Sequence, residues 1–154
     1  MQKLLIIQTA FIGDVVLATG LLESIHEAYP QAQIDVLVRN GNESLFTGHP
    51  FVHQVLVWQK KQHKYRNLMK LALSVRKASY DTVINLQRYA ATGWITCFSG
   101  ASEKIGFNKN PFRFCYTRTI VHSMGTEQGI HEINRNFQLI AHLKGVQLKK
   151  PVLY

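Results

Sequence analysis

Gln8-Thr9-Ala10-Phe11-Ile12-Gly13-Asp14-Val15-Val16 joins the apolar run Leu4–Ile7 to a stretch with helical periodicity. The apolar positions of that stretch are Val15, Ala18, Leu21, Leu22 and Ile25. A strand that enters a helix through a short loop places the side chains of the loop at the carboxyl edge of a sheet. Open α/β sheets bind ligands at that edge. The loop has one glycine, Gly13, and one acid, so the sequence predicts Asp14 as a functional residue.

Strand and helix patterns alternate along the rest of the chain. Strands are predicted at Lys3–Gln8, Gln33–Val38, Gln54–Trp58, Thr82–Leu86 and Lys104–Phe107, with a further extended segment at Tyr116–Val121. Helices are predicted at Asp14–Tyr29, Glu43–Phe46, Lys64–Ser79, Ala91–Phe98 and His131–Lys144, with a loop at Asn108–Phe114 and a turn at Gly125–Gly129. This alternation predicts an α/β fold with a doubly wound, mostly parallel sheet and helices on both faces.

The length and composition are typical of one globular domain covering residues 1–154. No apolar window is long enough for a transmembrane helix, and polar residues such as Gln8 and Asp14 interrupt the only segment that resembles a signal peptide. A cytosolic protein is therefore expected. Cys97 and Cys115 lack the spacing of a zinc or redox motif, so both are expected to be reduced and packed.

The net charge of +9 predicts an anionic partner. One cluster of cations contains no acid and comprises Lys60, Lys61, Lys64, Arg66, Lys70, Arg76 and Lys77. It is either a solvated helix face or a basic amphipathic helix attracted to an anionic membrane surface. No nucleic-acid partner is expected, because the cluster lacks the interleaved aromatic residues of single-strand binders and no nucleic-acid-binding motif is present.

Two common nucleotide-binding motifs are absent. The first strand–helix turn lacks the G-x-G-x-x-G pattern of dinucleotide binding, and no P-loop sequence occurs. The seven histidines are scattered without the spacing of a metal site. No cofactor or metal is therefore predicted.

Each remaining polar candidate has a structural and a functional interpretation. Asp14 is either an N-cap or a general base at the edge of the sheet. Arg88 and a second cluster of cations follow the fourth and fifth strands, and they are either unrelated loop residues or an anion pocket. That second cluster is Lys104, Lys109, Arg113 and Arg118. Arg135 lies in the last helix and is placed to reach a substrate or a neighbouring carboxylate.

Three segments in order resemble the ADP-heptose:lipopolysaccharide heptosyltransferase family. The start, Lys3–Ile7 followed by Ile12–Thr19, looks like the opening of that family. Lys104–Phe107 resembles a strand and loop of its middle, and His131–Leu139 resembles its H-x-x-x-R-N helix. The resemblance covers nearly the whole chain.

The resemblance implies a Rossmann-like domain that forms the amino-terminal, acceptor-binding half of a GT-B glycosyltransferase. Such enzymes are inverting and metal-independent, and Asp14 occupies the position proposed for their catalytic base. The expected acceptor is a phosphorylated lipid A–core glycolipid, and the expected donor is ADP-heptose or another nucleotide sugar. Substrate contacts are assigned to Thr9, Gly13, Arg88, Lys109, Arg113, Arg118 and Arg135.

The chain length implies that the carboxyl-terminal, nucleotide-sugar half is absent, so the chain alone is expected to fold without transferring sugar. The expected location is the cytoplasm, peripheral to the anionic inner face of the bacterial inner membrane. The alternative function is a non-catalytic module that binds a phosphorylated glycolipid or another polyanion.

Overall fold

A computed structural model of the protein describes residues 2–122 and 128–154. Its strands are β1 Lys3–Ile7, β2 Gln33–Arg39, β3 Val52–Trp58, β4 Thr82–Asn85, β5 Glu103–Phe107 and β6 Arg118–Ile120. Its helices are α1 Ile12–Ala28, α2 Lys64–Ala78, α3 Ala90–Phe98 and α4 Gln128–Gln138, with short 3₁₀ helices at Glu43–Phe46 and Arg113–Cys115.

The six strands form one sheet in the order β3-β2-β1-β4-β5-β6, and every described pairing is parallel. The strand order reverses between β1 and β4, and ligands bind at such switch points in doubly wound folds. The predicted α/β, Rossmann-like doubly wound fold is therefore confirmed.

Helices cover both faces of the sheet. The apolar side of α1 packs with Leu139 and Ile140 against one face of β1 and β2, and α2 and α3 cover the other face. β1 is apolar on both faces, because Leu4 and Ile6 enter the first core while Leu5 and Ile7 enter the second. This explains the uninterrupted apolar run that predicted a buried parallel strand.

The last helix differs most from its prediction of His131–Lys144. It begins at Gln128 and ends at Gln138, and the next residues form tight turns in which the amides of Leu139 and Ile140 donate to the carbonyls three residues earlier. Of the predicted turn at Gly125–Gly129, residues 125–127 lie outside the described part and the last two residues belong to α4.

The expectation of two reduced cysteines is wrong for this structure, in which Cys97 and Cys115 form a disulfide. α3 carries Cys97, and the 3₁₀ helix before β6 carries Cys115. The fold brings their Cα atoms to 5.5 Å, within the range that a disulfide can bridge. A spacing of 18 residues between separate elements gave no local signal of this pairing.

Candidate active-site cleft

A cleft of about 400 Å³ opens at the carboxyl edge of the sheet, at the switch point between β1 and β4. Its walls come from the β1–α1 loop, the ends of β2 and β3, the β4–α3 loop, the segment after β6, and α4. The lining residues are Gln8, Thr9, Ala10, Phe11, Asp14, Arg39, Lys60, Leu86, Gln87, Arg88, Tyr89, His122, Glu132 and Arg135.

Four of the eight site residues predicted from sequence line this cleft, namely Thr9, Asp14, Arg88 and Arg135. The other four, Gly13, Lys109, Arg113 and Arg118, do not line it. The structure therefore brings together the acid and two of the predicted arginines, and it leaves the remaining cations outside.

Asp14 is not the N-cap of α1. The helix begins at Ile12, Phe11 occupies the cap position, and no side chain caps the helix end. Asp14 lies in the first turn, half-buried, and its carboxylate accepts no hydrogen bond from the described residues. Its oxygens therefore remain available to a ligand in the cleft.

Arg135 places a positive charge close to Asp14. Its guanidinium pairs with Glu132 one turn earlier in α4. Burial lowers the pKa of Arg135, the nearby Asp14 raises it, and Arg88 lowers it. Its Nε atom is buried without a hydrogen-bond partner in the described part of the chain, so this guanidinium has capacity for another acceptor.

A second pair of cations, which the sequence did not single out for this site, lies on the β2–β3 side. The Lys60 ammonium donates to the carbonyl of Thr9 at 3.1 Å and lies over the Trp58 ring. The Arg39 guanidinium stacks over Phe11, with 4.6 Å from its central carbon to the ring centroid. Both residues end or closely follow strands, so the rule about carboxyl strand ends would have identified them.

The proximity of these cations perturbs their ionisation. Burial lowers the pKa of Lys60, and the positive charges of Arg39 and Lys64 lower it further. Among the described residues, the cleft thus holds four cationic side chains against two carboxylates, Asp14 and Glu132. A bound anion would relieve this repulsion, so the cleft is electrostatically suited to a phosphorylated ligand.

His122 is another residue that the sequence did not single out. It follows β6, packs edge-on against Phe107, and leaves its Nδ1 atom buried without a partner among the described residues. Burial lowers the pKa of His122, and three cations, Arg135, Lys109 and Arg88, lower it further. The neutral imidazole is therefore favoured, and it offers the cleft a polar group without another positive charge.

A buried network of amide side chains forms the floor of the cleft. The Gln87 side-chain amide donates to the side-chain oxygen of Gln8, which links the loops after β4 and β1. The Asn85 side chain accepts from the Gln87 backbone amide at 2.9 Å and donates to the Tyr116 hydroxyl at 3.0 Å. Burial raises the pKa of Tyr116 to about 12. These contacts fix the loop that leads to Asp14 and the loop that carries Arg88.

Asn110 fixes the loop after β4 from its other side. Its buried side-chain nitrogen donates to the carbonyls of Gln87 and Tyr89 at 3.1 and 3.0 Å. A Cβ on Gly93 would collide with this side chain, so glycine is required there for the close approach of α3. The backbone on both sides of Arg88 is thus held at two points.

The remaining predicted residues have other placements. The Arg113 guanidinium donates to the carbonyl of Asn108 at 2.9 Å, and Lys109 is exposed in the loop after β5. Arg118 begins β6, so it lies at the opposite end of that strand from the cleft. Gly13 is exposed in the first turn of α1, and a Cβ there would meet nothing within 4 Å.

The cleft combines a carboxylate that has no hydrogen-bond donor among the described residues with several cations, which suits proton removal from a hydroxyl on a phosphorylated ligand. Among the described residues, no group of three or more His, Cys, Asp or Glu side chains is arranged to hold a metal ion.

The sequence matches a known family model. Residues 68–154 match the model of glycosyltransferase family 9 (heptosyltransferase). Over 162 aligned residues the chain is 24% identical to lipopolysaccharide heptosyltransferase 1 of Pseudomonas aeruginosa, covering 98% of this chain and 45% of that protein.

Solved structures show the same fold. The crystal structure of a family 9 glycosyl transferase from Veillonella parvula matches with a TM-score of 0.86 and 19% identity, over 99% of this chain and 44% of the other. E. coli heptosyltransferase WaaC with ADP matches with a TM-score of 0.77 and 21% identity, over 96% of this chain and 48% of the other. The chain spans less than half the length of these relatives.

Proposed function

Because the chain belongs to glycosyltransferase family 9, the heptosyltransferase family, we propose that it is the amino-terminal, acceptor-binding domain of an inverting, metal-independent GT-B enzyme. The predicted family resemblance is thereby confirmed, and the acceptor-binding role is the proposal. The enzyme transfers a heptose or a related sugar from a nucleotide-sugar donor to a phosphorylated lipid A–core acceptor.

Asp14 is the general base in this proposal. Its carboxylate takes the proton of an acceptor hydroxyl while the oxygen of that hydroxyl forms a bond to the anomeric carbon of the donor. The bond from that carbon to the nucleoside diphosphate breaks at the same time, and the diphosphate leaves on the opposite face with inversion. The first-turn position of Asp14, with its oxygens unused by helix capping, supports this role.

The cations of the cleft position the acceptor through its phosphates. Arg88 and Arg135 line the same cleft as Asp14, and Arg39 and Lys60 line it on the β2–β3 side. Arginine suits phosphate because its planar guanidinium makes paired hydrogen bonds. Holding the phosphates keeps the acceptor hydroxyl near the base in the orientation that the reaction requires, which lowers the entropic part of the barrier. Thr9 lies in the β1–α1 loop and Gly13 in the first turn of α1. Substrate contacts by these two residues and by Lys109, Arg113 and Arg118 stay predictions.

The donor is assigned mainly to residues beyond this chain, so these 154 residues alone are proposed to bind acceptor without turnover. In the described residues no helix is both long and apolar enough to cross a bilayer. We place the reaction at the cytoplasmic face of the inner membrane, since a lipid-linked acceptor lies in that bilayer.

The observation that carries the proposal is the meeting of Asp14, Arg88 and Arg135 at the β1–β4 switch point. Calorimetric titration of this chain with a phosphorylated core acceptor, and with the same acceptor after phosphatase treatment, tests it. Losing a charged hydrogen bond costs about 1.5–3 kcal/mol, so Arg88→Gln should weaken binding of the phosphorylated form by roughly 10- to 100-fold. The matched control Arg76→Gln, at the edge of the sheet opposite the cleft, should bind as the unaltered chain does.

Equal affinity for the two forms of the acceptor would contradict the proposal. Acceptor binding without any turnover in a full-length form would instead favour the alternative, a non-catalytic module for phosphorylated glycolipids. The four cations of the cleft suit either function, so turnover decides between them.

A further inference from the structure

The exposed face of α2 carries a continuous apolar stripe. The opposite side of this helix packs into the core through Leu71, Ala72 and Val75. Tyr65, Met69 and Leu73 follow one another at intervals of four residues and remain 80%, 48% and 52% exposed. Residues at this spacing lie above one another on a helix, so the three side chains form one surface, called here the α2 stripe.

Positive charges border the α2 stripe. Arg66 and Lys70 each follow a stripe residue by one position, and Lys77 lies one helical turn after Leu73. All three side chains are exposed. No acidic residue occurs between positions 60 and 80. An apolar face flanked by basic side chains is the arrangement by which helices lie in the headgroup region of anionic bilayers.

We propose that the α2 stripe and its basic border dock this protein on an anionic membrane surface. Tyr65, Met69 and Leu73 enter the boundary between headgroups and acyl chains. The neighbouring ammonium and guanidinium groups remain among the lipid phosphates, reaching them with flexible stems.

The position of the stripe relative to the cleft supports a membrane as the occupant. α2 begins at Lys64, four residues after Lys60, whose ammonium reaches the β1–α1 loop of the cleft. The Lys64 ammonium lies 5.8 Å from the centre of the Tyr65 ring, and Lys64 is close enough to Lys60 for its charge to lower the pKa of Lys60, so the stripe begins beside a residue that lines the cleft. A lipid-linked acceptor could therefore enter the cleft while its acyl chains remain in the bilayer. This choice of occupant rests on the proposed function.

Charge also argues against a second copy of this chain as the occupant. Pairing two α2 faces would bring two sets of unpaired cations together, and like charges at an interface disfavour association. A nucleic acid would match the charges but would leave the Met69 and Leu73 side chains without an apolar partner.

Sedimentation with vesicles tests the proposal. One vesicle preparation contains about one-third phosphatidylglycerol in phosphatidylethanolamine and phosphatidylcholine, the other lacks the anionic lipid, and both are used at about 0.15 M salt. The unaltered chain should bind the anionic vesicles and not the neutral ones. Replacing Lys70 and Lys77 by Gln should weaken binding by roughly 30-fold, because each basic residue near an anionic surface contributes about fivefold.

Replacing Met69 and Leu73 by Ser should weaken binding at least about tenfold, since two apolar side chains lose their burial. The matched controls are Phe114→Ser, at an apolar position outside α2 that is more exposed than Met69 and Leu73, and Lys144→Gln with Lys150→Gln. The tail that carries these lysines packs on α1, on the opposite face of the sheet. The controls should bind as the unaltered chain does, and circular dichroism checks that every variant is folded.

Failure of the unaltered chain to prefer anionic vesicles would overturn the proposal, and so would full binding by the Met69 and Leu73 variant. A change of molecular mass in solution caused by that variant alone would identify the stripe as an interface between copies. The vesicles contain no acceptor glycolipid, so a negative result would leave the acceptor titration, and with it the proposed function, intact.

Discussion

Replacing Asp14 by Asn distinguishes a catalytic role of this carboxylate from a structural role. The substitution keeps the size and shape of the side chain and removes its charge. Asp14 accepts no hydrogen bond from the described residues, so stability loses the attraction of a first-turn acid for the helix end, about 0.3–1 kcal/mol, and the attraction of Asp14 to the nearby Arg135 charge. The loss of a general base should instead lower kcat by roughly 10²- to 10⁴-fold.

Two measurements on matched proteins give these quantities. Urea unfolding of this chain reports stability, and transfer of heptose by a full-length form that includes the nucleotide-sugar half reports kcat. Glu27→Gln, an isosteric change at an exposed acid of the same helix, should leave kcat unaltered. The reasoning is refuted if Asp14→Asn keeps kcat within about twofold, or if it lowers the unfolding free energy by more than about 2 kcal/mol, well beyond a helix-end charge.

Three further predictions concern stability. Tyr80→Phe removes the hydroxyl that donates to the fully buried Asp35 carboxylate at 2.7 Å, and urea unfolding should show a loss of about 1–3 kcal/mol. Cys97→Ser opens the link to Cys115, and the 18-residue separation predicts a loss of about 3 kcal/mol, which reductant should reproduce in the unaltered chain. Burial and nearby cations lower the pKa of His122 in the folded state, so the unfolded chain binds a proton more readily than the folded chain does. The contribution of His122 to the unfolding free energy is therefore complete above its unfolded pKa of 6.5, and it is lost as the pH falls through the lower pKa of the folded state. Unfolding free energies at about pH 7.5 and about pH 5.5 should differ less in His122→Gln than in the unaltered chain.

The central strands and helices could be predicted because their sequences carry the pattern of their burial. Leu4–Ile7 is apolar without interruption, since β1 is covered on both faces. The last residue of α4 could not be predicted from its apolar pattern. The apolar periodicity continues through Leu139 and Ile140, which stay buried after the helix has given way to turns. Periodicity reports burial, and burial continues beyond the hydrogen-bonded helix.

Half of the predicted site residues line the cleft, because strand ends mark the ligand edge of the sheet. Asp14 lies in the first turn of the helix that follows β1, and Arg88 lies in the loop after β4. The sequence alone groups Lys60 with the cations of α2, although it follows the end of β3 by two positions and its ammonium reaches the β1–α1 loop of the cleft. The sequence does not show at which end of the short extended segment Arg118 lies, so it does not separate Arg118 from the ligand edge. The disulfide and the pairing of Arg39 with Phe11 depend on tertiary contacts that no local pattern encodes.

The central position of β1 in the sheet also determines in which order the parts of the cleft unfold. β1 is hydrogen-bonded to β2 on one side and to β4 on the other, whereas β6 is a short, largely exposed edge strand. Local openings of a protein start at such edges and reach the central strands only in global unfolding. Amide protons of Ile6 and Ile84 should therefore exchange with solvent at the slowest rate in the molecule. Opening of the β6 edge can remove His122 from the cleft, but the end of β1 and the first turn of α1, which carries Asp14, are expected to persist until the whole domain unfolds.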